Sequence, residues 1–137
     1  MESISVNLWP VLAAAVVNMV VGSLWYGPIF GKMWKNLMGF TDESMKSMKL
    51  SVSQAMAMGF VTSLIMAYVL SHFVVISGAI NAGAAWELAF WIWLGFMATT
   101  SAGGFIWEGR PFKLFVLNAA EELVALSLMA WVLVMWP

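Results

Sequence analysis

The sequence predicts an all-α membrane protein, a bundle of four transmembrane helices. Three observations carry this. Of the 137 residues, 63% are hydrophobic and only 9% charged, whereas a soluble domain carries about a quarter charged residues, so lipid has to be the solvent for much of the surface. Four stretches each supply the roughly 20 apolar residues that cross a hydrocarbon core of about 30 Å. The alternation of a barrel strand is absent, and a backbone in lipid has to satisfy its own hydrogen bonds. The length fits a single domain over residues 1–137.

The first span runs over about 8–26, opened by Trp9-Pro10, where proline suits a first helical turn, and closed by Gly27-Pro28. Ahead of it only Glu2 is charged. No basic region precedes this apolar run, and it is too long for a signal-peptide core, so a cleaved secretory leader is not expected. In the first loop Met33, Trp34, Leu37 and Met38 share one helical face beside Lys32 and Lys35, with Gly39 as a stop. That pattern predicts a short helix lying in the headgroup layer. Thr41-Asp42-Glu43 reads as a second helix start, a cap followed by acids. Met45, Met48 and Val52 continue one face, which predicts that this helix runs unbroken into the second span at 51–76. The third and fourth spans are expected over 86–106 and 113–136.

Every basic residue falls in two loops: Lys32, Lys35, Lys46 and Lys49 in the first, Arg110 and Lys113 in the third. In a four-span protein these loops share a side, which the positive-inside rule makes cytoplasmic. Both termini and the second loop then lie outside, as expected of a multi-pass protein of a bacterial inner membrane. Trp9, Trp86 and Trp136 mark the outer interface; Trp25, Trp34 and Trp107 mark the inner one. The four lysines of the first loop set topology and attract anionic lipid. A net charge of −1 gives no reason to expect a nucleic-acid partner.

Small residues at four-residue spacing let helices approach closely in lipid, and the second span carries an unbroken ladder of them: Ser51, Ala55, Gly59, Ser63, Ala67 and Ser71. It predicts a helix–helix contact, within one chain or between copies. Glu121 and Glu122 are the strongest candidates for chemistry. A span starting after them would cover only about 21 Å, so both carboxyls lie inside the membrane, where an acid usually faces protein or a water cavity. Asn118 shares their face. Asn18, Thr62, Ser63, Thr99, Thr100 and Ser101 lie at similar depth on the other spans and predict a polar layer. Such a layer serves either as a proton- or cation-handling site or as a hydrogen-bonded packing network. His72 and Glu87, near the outer ends of spans two and three, are a candidate pair, although a lone histidine is more often a local hydrogen-bonder.

With no cysteine, disulfides, thiolate metal sites and cysteine nucleophiles do not arise. Twelve methionines raise the question of copper(I), which thioethers favour. Methionine is also the adaptable filler of apolar packing, and no His or Cys cluster supports a metal, so neither metal nor cofactor is expected. Phosphate loops, dinucleotide fingerprints, metalloprotease motifs and serine–histidine–acid sets are absent from the sequence, and an enzyme is not expected.

Leu24-Trp25-Tyr26-Gly27-Pro28-Ile29-Phe30-Gly31-Lys32-Met33-Trp34 follows the first span. Gly95-Phe96-Met97-Ala98-Thr99-Thr100 lies in the third and Lys113-Leu114-Phe115-Val116-Leu117-Asn118-Ala119 opens the fourth. In these segments, in order and spacing, the chain resembles a bacterial membrane family catalogued as domain of unknown function 1761. The resemblance implies a four-span protein and supplies no activity. The chain departs from the family's pattern just after Asn118-Ala119, where an aromatic or histidine is expected in place of Glu121-Glu122.

The leading expectation is therefore an accessory subunit that self-associates or joins a larger membrane complex, on the ladder, the short outer termini and the lack of a catalytic set. The alternative is a transporter or channel component that uses the acidic pair. What separates them is whether Glu121 and Glu122 face a cavity, a packed helix or another chain.

Overall fold

The computed structural model describes residues 5–137; the expectation for Glu2 lies outside them. Helix α1 (Leu8–Leu24) is capped by the Asn7 side chain, which accepts from the Trp9 N–H. It does not stop at Gly27-Pro28. The helix continues as a wider π-wound turn over Trp25–Ile29, with Pro28 inside it. Proline has no N–H for an α-turn, and the turn closes instead from the Phe30 N–H to the Trp25 carbonyl at 2.8 Å.

Helix α2 (Gly31–Met38) is the short helix that the first loop predicts. Trp34 packs edge-on against Tyr26 and Phe40, at centroid distances of 5.6 and 5.4 Å, while Lys32 and Met33 stay exposed. Gly39 ends the helix at φ 72°, a conformation that costs glycine nothing. Helix α3 (Asp42–Lys46) is capped at Thr41 by a reciprocal bond pair with Ser44.

One expectation fails here. The chain breaks after Lys46, and α4 (Val52–Ser77) starts afresh on a second capping box, in which Ser51 and Gln54 each take the other's backbone N–H. Ser51 is thus a cap and not a packing residue, and the continuous face through Met45, Met48 and Val52 is interrupted.

Helix α5 (Ala82–Ile92), capped by Asn81, passes through a π-wound segment, Trp93–Ala98, into α6 (Thr99–Ile106). Helix α7 (Phe112–Met135) follows Pro111. Four helical runs, Leu8–Ile29, Val52–Ser77, Ala82–Ile106 and Phe112–Met135, are long and apolar enough to cross a membrane. They form a bundle, and the chain is a multi-pass membrane protein. Large apolar side chains such as Val20, Ile65 and Trp91 stay exposed, as a lipid-facing surface requires.

Helix α7 is the central element, packed on α1, α4, α5 and α6. The core lies towards the end away from the basic loops. There Ala14, Ala15, Ala67, Ala85, Ala89 and Ala130 are fully buried and let the helices close around Met129 and Leu133. Helix α4 joins this core only by its second half: Ser63, Ala67 and Ser71 are buried, whereas residues 51–58 are all exposed. Of the six-residue ladder, Ser51 and Ala55 therefore stay outside the buried core. Gly59 sits against Met19, whose Sδ would lie 3.6 Å from a Cβ placed there.

Candidate functional site

Helix α7 carries 24 residues, and Glu121 stands about 14 Å from its start, well inside a membrane-spanning length. Residues 51–58 at the start of α4 are all exposed, and the space beside these acids is not filled. A cleft of about 480 Å³ opens between α1, α4, the π-wound segment of the third span and α7. Glu121 and Glu122 both line it, with Asn18, Ser63 and Thr62. A Cβ on Gly22 would lie 3.8 Å from Glu121 Oε1, an ordinary van der Waals distance, so that carboxyl lies alongside α1.

The two acids are held differently. The Ser101 hydroxyl donates to Glu122, at 3.0 Å from Oε1 and 3.2 Å from Oε2. Glu121 has no hydrogen-bond partner among the described residues and faces the cleft. On the opposite wall Asn18 Nδ2 donates to Ser63 Oγ at 2.8 Å, and that hydroxyl donates on to the Gly59 carbonyl at 2.8 Å. Among the described residues lining the cleft there is no lysine, arginine or histidine. No three His, Cys, Asp or Glu side chains converge anywhere among the described residues. The arrangement thus offers two acidic groups and several neutral oxygens without a built-in counter-charge, which suits a cation or an exchangeable proton.

A second cavity, about 400 Å³, lies at the basic-loop end and is lined by Ser101, Gly104, Asn118, Glu108 and Arg110 among others. Glu108 and Arg110 form an ion pair of 3.3 Å there. Ser101 lines this cavity while its bonding partner Glu122 lines the first, so the Ser101–Glu122 bond stands between the two spaces. Asn118 is placed on the same side: its Oδ1 accepts from the Tyr26 hydroxyl at 2.7 Å.

Sequence-named residues part company here. Asn18, Ser63, Ser101, Glu121 and Glu122 come together, and Asn118 adjoins them from the second cavity. Thr99 does not join. It is exposed, and its hydroxyl donates to the Gly95 carbonyl at 2.7 Å. Thr100 borders the second cavity, but its hydroxyl donates to the Phe96 and Met97 carbonyls at 2.7 and 3.0 Å. Both threonines serve the π-wound turn, whose carbonyls they supply with donors. His72 and Glu87 form no ion pair. His72 Nδ1 lies 2.8 Å from the Tyr68 carbonyl of its own helix, and its ring packs on Tyr68, while Glu87 is exposed.

Tyr26 was not legible as a site residue, because its place at the inner end of the first span reads as interface aromatic. Trp93 was missed likewise. Its indole Nε1 donates to the Ala119 carbonyl at 2.8 Å and ties the third span to α7 just before the acids.

No curated protein matches the chain, and no solved structure does. The family model described as "Protein of unknown function (DUF1761)" matches residues 9–134, nearly all of the chain, and the protein belongs to that family.

Proposed function

We propose that the protein is a transporter or channel component that exchanges protons or cations at Glu121 and Glu122, reached from the end carrying the basic loops. The observation that carries this reading is that both carboxyls line an unfilled cleft and that one of them is bonded through Ser101 to the edge of a second cavity. A packing network would have its acids enclosed by helices. Towards the other end the alanine-rich core closes the bundle, so access on this reading is one-sided in this conformation. With the basic loops cytoplasmic, the open side faces the cytoplasm of a cell whose inner membrane holds the protein.

The test is flux in proteoliposomes loaded with a pH-sensitive dye, before and after a cation gradient is imposed. The wild type is expected to move protons or cations, and the Glu121→Gln/Glu122→Gln variant to fold normally and move neither. Equal flux in both proteins, or none in either, overturns the reading.

A second reading, an accessory subunit that self-associates, is supported by the exposed start of α4, where Ser51 and Ala55 lie outside the buried core. Small residues facing lipid permit close approach of another span. Ala55→Cys is expected to give disulfide-linked dimers in membranes on this reading, and a chain that stays monomeric there removes it. On either reading Lys32, Lys35, Lys46 and Lys49 would hold anionic headgroups, giving tighter binding to anionic than to neutral vesicles.

A further inference from the structure

The cleft has walls as well as acids. Four methionines line it: Met19 from α1, Met56 and Met66 from α4, and Met97 from the π-wound segment. Thioether side chains are unbranched and polarizable, and they recur on surfaces that accommodate ligands of varied shape. A volume of about 480 Å³ lies within the range of small-molecule sites, roughly 300–1,000 Å³. A dehydrated inorganic cation needs a small cage of oxygens, and a proton needs no cavity at all. Neither accounts for so large an apolar chamber around the carboxyls.

The cleft also has a thin side wall. An apolar groove of about 340 Å³ runs between α1 and α4, lined by Val16, Val20, Leu24 and Phe60, and it shares Met19, Ser23 and Met56 with the cleft. Val16, Val20 and Leu24 are close to half exposed, on the surface that lipid covers. Only Met19, Met56 and Ser23, two of them flexible thioethers, stand between a molecule in that groove and the cleft that holds the acids. The groove itself is almost wholly apolar, so what passes through it has to carry a large apolar surface. What the carboxyls hold has to carry positive charge.

We propose that the cleft is a binding site for a lipophilic organic cation, an amine or quaternary onium, that enters sideways between α1 and α4. Its charge sits on Glu121, the unbonded acid, while Ser101 holds Glu122 away. Its apolar part lies among the four thioethers. This inference rests on the cation-handling reading above and names its substrate class. Binding and protonation compete for the same carboxyl, so affinity rises with pH until that group is ionised. The other ionisable groups near it are Glu122 on its own helix and Tyr26 on the first span, whose hydroxyl is engaged by Asn118. The α4 and Met97 walls of the cleft contribute none.

The probe is radiolabelled tetraphenylphosphonium, measured by equilibrium dialysis against the purified, detergent-solubilised chain from about pH 6 to about pH 9, so that competition between cation and proton for the carboxyl is read. Saturable binding that strengthens with pH is expected. Glu121→Gln should weaken it at least about tenfold through loss of the charge pair, with an unchanged elution profile. Ser23→Phe, which thickens the wall between groove and cleft but leaves both acids, should weaken it as well. Binding unaffected by Glu121→Gln, or outcompeted by millimolar-scale sodium or potassium, overturns the proposal. Acid-dependent proton flux in proteoliposomes with no saturable tetraphenylphosphonium binding overturns it too, yet leaves the cation-handling reading standing. Absence of acid-dependent flux, by contrast, removes that reading.

Discussion

At the scale of single residues, two neighbouring glutamates of one helix end in unlike environments, and the difference comes from what the third span presents. Ser101 meets Glu122 and nothing meets Glu121. A hydrogen bond to a charged group contributes about 1.5–3 kcal/mol, and a neutral one about 0.5–1.5. Ser101→Ala should therefore cost more stability in the wild type than in a Glu122→Gln background, by unfolding in detergent followed by tryptophan fluorescence. An equal cost in both backgrounds would show that the hydroxyl does not bond an ionised carboxylate. The acids themselves were legible in the sequence, since depth along a span follows from counting residues. Their partners were only half legible. A serine and two threonines in succession on span three look alike as a polar cluster, but a π-wound segment just before them changes which way each hydroxyl turns. Thr99 and Thr100 are claimed by its carbonyls, and Ser101 alone reaches α7. A widened turn leaves no mark in composition, so no reading of residue type could separate the three.

At the scale of elements, the lesson is in α4. Its small-residue ladder is continuous in sequence yet is buried only at Ser63, Ala67 and Ser71. Ser51-Val52-Ser53-Gln54 carries a visible capping signature, and reading Ser51 as a packing residue hid it. The rungs just before Ser63, Ala55 and Gly59, line the cleft instead. Substitutions along the ladder should grade accordingly. Ser63, at 1% exposed, holds Asn18 and the Gly59 carbonyl. Ser63→Leu overpacks a closed contact and leaves Asn18 unpaired, a loss of about 1–3 kcal/mol from the overpacking alone. Gly59→Leu presses on Met19, a flexible neighbour, and should cost less. Ala55→Leu should leave the monomer's melting temperature within error. Equal losses at all three positions would mean that α4 packs along its whole length.

At the scale of the whole molecule, the bundle is asymmetric from end to end. One end holds alanine-rich packing and, beside Asn7 and Pro137, a pocket of about 330 Å³; the other holds the acidic cleft, a second cavity, an ion pair, a short amphipathic helix and every lysine and arginine of the chain. Four spans were legible because bilayer thickness sets their length, whereas the cleft depends on packing between helices and was not. Orientation determines which compartment the open end faces. On the proposed orientation, with the basic loops cytoplasmic, α3 would lie inside and the α4–α5 loop outside. The chain contains no cysteine, so single cysteines report without background. Ser44→Cys lies in α3, and Ile80→Cys lies in the opposite loop, where Ile80 is 81% exposed. In intact cells an impermeant thiol reagent should label the cysteine at position 80 and spare that at position 44 until the membrane is breached. The reverse pattern would turn the molecule over. The carboxyls would then take protons from outside, and a lipophilic cation released towards the open end would leave the cell, not enter the cytoplasm.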